Sequence, residues 1–172
     1  MAAMTAQILL MLVLPALLAV AAAFDLATFT IPNLLSLAIA VAFVIFGLMV
    51  KLAPGEFAFH LLAGLIALVA GFALFAFGYI GGGDAKLFAA TALWLGLHDF
   101  LAYALASSVL GGLLTLALLL LRQWPLPAGL ARCDWIIRLH EKSSGVPYGV
   151  ALASGALLIL PHAEILRLAA SA

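Results

Sequence analysis

Asp84 closes the run Gly81-Gly82-Gly83-Asp84 where one long apolar stretch ends and another begins, and Asp25 stands in a matching position at the end of the first apolar stretch. Carboxylates at membrane depth are costly and rare, so each marks a functional-site candidate by default. Two of them within reach of each other could share one proton. One would take a proton from water while the other donates to a scissile carbonyl, which is the chemistry of aspartic proteolysis. Their titration would belong to the pair and not to either residue. A helix N-terminus favours an anion and a C-terminus disfavours one. Asp84, opening its stretch, is therefore expected to be the ionised partner, and Asp25 the one that more often holds the proton.

The glycines beside Asp84 bear on the same chemistry. A peptide cleaved within a membrane must be unwound first, and its freed backbone groups then need partners. Gly81, Gly82 and Gly83 lack side chains that would block an extended peptide, and such a segment offers strand-like pairing. A plain tight turn between spans accounts for three glycines equally well. No metal or cofactor is expected: Cys133 is the single cysteine, and no Cys/His cluster has zinc-ligand spacing.

The elements that must hold these residues are membrane helices. The chain is 68% hydrophobic and 8% charged with a mean hydropathy of +1.34 over 172 residues, whereas soluble domains carry about 25% charge. A crossing needs about 20 mostly apolar residues. Stretches 6–24, 33–50, 57–80 and 100–121 meet that length, and 85–97 and 146–160 are shorter candidates. The expectation is an all-α polytopic membrane protein of six transmembrane helices in a single domain, 1–172, with the lipid bilayer as partner and no nucleic acid. The residues before the first stretch hold no Lys or Arg, unlike a signal peptide, so that stretch is read as a retained span.

Two spans separate Asp25 from Asp84, and an even number of crossings returns the chain to the side it left. Both acids are thus expected at one membrane face. With six spans, Lys86, Arg122, Arg132, Arg138 and Lys142 fall on that face, and only Lys51 and Arg167 on the other. The positive-inside rule then places the acids at the cytoplasmic side. Gly64, Gly71 and Gly78 at seven-residue intervals, and Ala104, Ser108 and Gly112 at four-residue intervals, read as helix-packing stripes. In the polar 122–147 loop, residues 130–142 are expected to form a short helix on the membrane surface, serving as an anchor or as a docking element for substrate. His98 and Asp99 are expected in a solvated turn between the fourth and fifth spans, with Glu56, His60, His162 and Glu164 near the same outer boundary.

The set of motifs resembles a known family. Gly81-Gly82-Gly83-Asp84-Ala85-Lys86 is similar to the G-x-G-D signature of type IV prepilin peptidases, Lys86 matching a basic residue common just after it. Asp25, followed by Ile31-Pro32-Asn33, resembles the first catalytic aspartate and the opening of the next helix. Pro147-Tyr148-Gly149-Val150-Ala151 is similar to the start of the family's last helix. The resemblance implies an endopeptidase of the bacterial inner membrane that removes the short basic leader of prepilins or pseudopilins at the cytoplasmic side, just before the pilin's apolar helix. Asp25 and Asp84 would be its catalytic pair, and Gly81, Gly82, Gly83 and Lys86 its substrate-binding residues. Larger members carry a cytoplasmic domain with paired cysteines and also methylate the new terminus. Here only Leu26 to Pro32 separate Asp25 from Asn33, with one cysteine in the chain, which is the pattern of the short, peptidase-only type of Flp/Tad pili. A proton-coupled transporter or channel also uses intramembrane carboxylates, but it would want acids near the midplane and a repeat.

Overall fold

The computed structural model describes residues 2–127 and 129–171, with the backbone alone described at 2–11, 131 and 171. Every regular element among these residues is helical: α1 Ala2–Thr28, α2 Asn33–Met49, α3 Pro54–Ala76, α4 Gly82–Leu121, α5 Asp134–His140, α6 Tyr148–Ile159 and α7 Glu164–Ser171. In lipid a helix satisfies its own backbone, which is why so apolar a chain takes this form. Among the described residues α3 and α4 are long and apolar enough to cross a bilayer. The α6–α7 region, bent by 46°, makes a third span if it counts as one. The part of α1 from Leu12 to Thr28 and α2 are apolar but shorter. The structure thus gives two or three strongly apolar spans plus shorter apolar helices, where the sequence led to an expectation of six full crossings.

The fourth and fifth expected spans are both found in α4. Its 40 residues would reach about 60 Å if straight, twice the hydrocarbon thickness of roughly 30 Å. The helix breaks instead at Gly96, whose φ of 69° is open to glycine at little cost. Phe88 and Tyr103 would lie about 22 Å apart along a straight helix, yet their rings stack at 5.2 Å. The two halves therefore fold back on each other as a hairpin. The turn sits at Gly96 and not at His98 and Asp99 as expected. Asp99 is only 9% exposed, because its Oδ2 accepts a hydrogen bond from the Glu164 backbone N–H at 2.8 Å and caps the start of α7. His60 is buried too, its Nδ1 bonded to the Leu93 carbonyl at 2.7 Å. Asp99 is thus not solvated as the sequence implied, whereas His98 is exposed as expected.

The core joins Leu14 and Leu18 of α1, Ile39 and Phe43 of α2, Trp94 of α4, Ala156 of α6 and Ile165 of α7. Trp94 donates its indole N–H to the Ile39 carbonyl at 2.9 Å, the partner such a group needs when no water is near. Gly71 lets α3 press on α4: a Cβ there would lie 3.1 Å from Ala85 Cα. Gly64 likewise faces Leu93. Gly78 does not extend this stripe. With a φ of 78° it ends α3, and the Tyr79 N–H returns to the Leu74 carbonyl at 2.9 Å, a Schellman closure. The Ala104, Ser108 and Gly112 stripe is not buried packing either. Gly112 has open space around it, and Ala104 and Ser108 line a groove.

The expected surface helix over 130–142 is in two pieces, a 3₁₀ turn at Leu130–Arg132 and then α5, parted by extended backbone at Cys133. Arg122, 7% exposed, holds this segment down. Its guanidinium donates to the carbonyls of Leu139 at 2.9 Å, Ser144 at 3.0 Å and Gly145 at 2.8 Å.

Candidate active site

Asp25 lies in the last turn of α1 and Asp84 in the first turn of α4. They are 4% and 8% exposed. The fold brings them together at the N-terminus of α6. The Gly149 N–H donates to Asp25 Oδ2 at 2.6 Å. Ile31 lies against both Gly83, the neighbour of Asp84, and Gly149, so the backbone beside Asp84 and the amide that binds Asp25 meet at one side chain.

Asp84 is held by its own helix as well. Its Oδ2 accepts the Gly81 N–H at 2.9 Å, the N3 half of a capping box. Its other oxygen, Oδ1, is buried with no hydrogen-bond partner among the described residues. An acceptor left open in this way is suited to a shared proton or a bound nucleophile. Both acids lie within a turn of a helix end, as the electrostatic argument requires. Asp25 is not at a C-terminus alone, however, because α6 supplies an N-terminus whose Gly149 amide binds it. The macrodipole of α6 favours negative charge there, so helix ends alone do not separate the two roles.

The glycine run is positioned differently from the expectation. Gly82 and Gly83 are already helical, and only Gly81 is extended, with φ −74° and ψ 154°. Strand-like pairing by the run would unwind the first turn of α4. What the glycines give is close approach: a Cβ on Gly83 would lie 3.1 Å from Ile31 Cβ. Ile31, in the α1–α2 linker, is 7% exposed and lies against Gly149 as well. Lys86 is not with these residues. Two positions on from Asp84 it is turned by about 200°, and its Nζ donates to Asn33 Oδ1 at 2.7 Å.

Two participants, Gly149 and Ile31, stand in the sequence only as members of motifs, with no role of their own. The resemblance puts a helix start at Pro147 to Ala151, but nothing local tells that this start meets Asp25. Among the described residues no three His, Cys, Asp or Glu side chains group as a metal would need. Beside the pair, a groove of about 530 Å³ is lined by Leu74, Ile80, Phe88, Ser108, Tyr148 and Leu152 among others. Phe88 is one turn beyond Asp84, and Ile80 and Tyr148 precede the two glycines that donate to the acids.

This arrangement can activate a water and protonate an amide carbonyl in surroundings that exclude bulk solvent. No curated protein and no solved structure matches the chain. A family model does match, described as the type IV leader peptidase family, over residues 12–116. The matched region holds Asp25, Gly81 to Asp84 and Lys86, while Gly149 and Arg122 lie beyond it. Since the match spans more than half of the 172 residues, the chain belongs to the type IV leader peptidase family.

Proposed function

We propose that this protein is an intramembrane aspartic endopeptidase that removes the leader from type IV prepilins of the Flp/Tad kind at the cytoplasmic face of the bacterial inner membrane. Family membership makes it a peptidase with a protein substrate. The observation that supports the finer reading is the burial of Asp25 and Asp84 at the start of α6, where the Gly149 amide binds Asp25 and Ile31 joins Gly149 to Gly83 beside Asp84. The five basic residues allotted to the dyad's face support the cytoplasmic side. The four-residue α1–α2 linker and the single cysteine support the short, peptidase-only type.

In the reaction, one carboxylate takes a proton from water as the water oxygen bonds to the scissile carbon. The other gives its proton to the carbonyl oxygen. On collapse of the tetrahedral diol the C–N bond breaks, the proton taken from water passes to the leaving nitrogen, and a hydroxyl proton returns to the second carboxylate. Asp84 Oδ1 is the open oxygen for this work. The Gly81–Gly83 segment forms the backbone surface beside it, and the groove past Phe88 takes the apolar stretch that follows the cut.

The test is cleavage of a leader-bearing prepilin by the purified protein in nanodiscs, read by mass spectrometry. One cut between leader and apolar helix is expected, with Asp25→Asn and Asp84→Asn each losing it and the double variant no worse than either, since both acids serve one step. Cleavage by a single variant at a tenth of the wild-type rate or more removes that residue from the mechanism.

A further inference from the structure

A second groove runs between α2 and α3 with α4 as its floor, about 500 Å³ in volume. It is polar at one end only. Asn33 and Lys86 stand at the mouth, Ser36 lies one turn further along α2, and Ala40, Leu65 and Leu93 line the remainder. On α4 the lining residues Lys86, Ala89, Ala90 and Leu93 recur at helical spacing, so they form a stripe of one face about two turns long. Asp84 is turned by about 200° from Lys86, and its face carries Phe88 and the groove beside the dyad. The two grooves thus lie on different sides of one helix.

Three features specify what fits here. Lys86 is exposed and has no carboxylate partner, since the ion pairs among the described residues all involve His98. Its ammonium spends one donor on Asn33 Oδ1 at 2.7 Å and has two more to give. Ser36 is 6% exposed and its Oγ has no hydrogen-bond partner, a donor whose burial is costly until an acceptor reaches it. Below it the walls are apolar and opened by small side chains at Ala40, Gly64, Ala89 and Ala90. The cation repels a basic leader and attracts a phosphate.

We propose that this groove binds one anionic glycerophospholipid from the leaflet at the dyad's end of the protein. Its phosphate is held by Lys86 and Asn33, its ester region lies beside Ser36, and one acyl chain lies along Ala40, Leu65 and Leu93. Basic pockets between membrane helices take head groups in this way. The site makes Lys86 a lipid ligand in place of a substrate contact, and it does not depend on the peptidase reading.

Native mass spectrometry of the detergent-purified protein, given phosphatidylglycerol or phosphatidylcholine of identical acyl chains, tests this. One phosphatidylglycerol should be retained in preference to phosphatidylcholine by about fivefold, the effect of one lysine near a surface. Lys86→Gln should erase that preference, and Ala40→Leu, which narrows the apolar wall without touching charge, should weaken both lipids alike. Equal retention of the two lipids by the wild type, or an unchanged preference in Lys86→Gln, overturns the proposal. Glycerol 3-phosphate competing as well as the lipid would reduce the site to a phosphate site and also overturn it. So would Ala40→Leu blocking cleavage of a leader-bearing protein with lipid retention intact, which would assign the groove to substrate.

Discussion

Adding one methyl group at Gly149 should separate catalysis from folding. A Cβ there would stand 2.9 Å from Asp25 Oδ2, 3.1 Å from Asp25 Cβ and 2.7 Å from Ile31 Cδ1. Two of these are closer than atoms tolerate, so Asp25 or the start of α6 must move by a few tenths of an ångström. The Gly149 N–H to Asp25 bond at 2.6 Å is then lengthened or misaligned. A hydrogen bond to a charged group contributes about 1.5–3 kcal/mol, and each ~1.4 kcal/mol is tenfold in rate, so kcat/KM for prepilin cleavage should fall roughly 10- to 100-fold. The same change adds about 0.5–1 kcal/mol of helix propensity in the first turn of α6. That offsets part of the strain, and the variant should remain folded. The assay is cleavage kinetics of Gly149→Ala beside thermal unfolding in the same detergent, with Gly145→Ala as control because nothing lies within 4 Å of a Cβ there. Activity of Gly149→Ala within twofold of wild type would refute the claim that this amide sets the geometry of the pair.

Three other outcomes follow from the structure. Arg122→Lys gives up the fork that spans three carbonyls, so trypsin should cut the native protein at Arg132, Arg138 or Lys142 severalfold faster, and an unchanged digestion rate would show the segment is held by other means. Asp99→Ala removes the acceptor at the start of α7 and should lower stability by about 1 kcal/mol with kcat unaltered, measured by unfolding and by cleavage. In a Cys133→Ala background, single cysteines at Ser143 and Gly55 should react in opposite ways with a membrane-impermeant thiol reagent applied to spheroplasts. Gly55→Cys should be labelled and Ser143→Cys protected; the reverse would put the dyad outside.

Much of this was legible because membranes simplify sequence. Long uncharged stretches announce helices, and an acid that interrupts them marks a candidate, so Asp25 and Asp84 could be singled out and expected at one membrane face from the parity of crossings. The Gly96 hairpin was not legible. His98 and Asp99 were the polar residues at hand, and polarity marks a turn only when water is its reason. Here the turn is set by a backbone angle that glycine permits, while Asp99 turns inward to cap α7. Gly149 escaped for a different cause: its role comes from a contact with Asp25 across 124 positions, and periodicity carries no information at that range. Arg122 was counted as a charge for orientation. Of its three carbonyl partners, Leu139 is in the last turn of α5, and Ser144 and Gly145 lie on irregular backbone whose path no pattern of residues foretells.

The wedge formed by Ile31 has a mechanical consequence. The linker that carries it, residues 29–32, has four residues between two helices, a contour of at most about 14 Å. Phe29 within it occupies a left-handed backbone position, φ 54°, which non-glycine residues seldom adopt. Ile31 packs on Gly83 from one side of the dyad and on Gly149 from the other. It cannot swing aside like the tip of a long loop, since its tether is short. If the proposed peptide is to lie between those glycines, the end of α1 or the beginning of α2 has to move with Ile31. The stiffness of the surrounding bilayer, which resists such helix displacement, thereby becomes part of the resistance a substrate meets on entry.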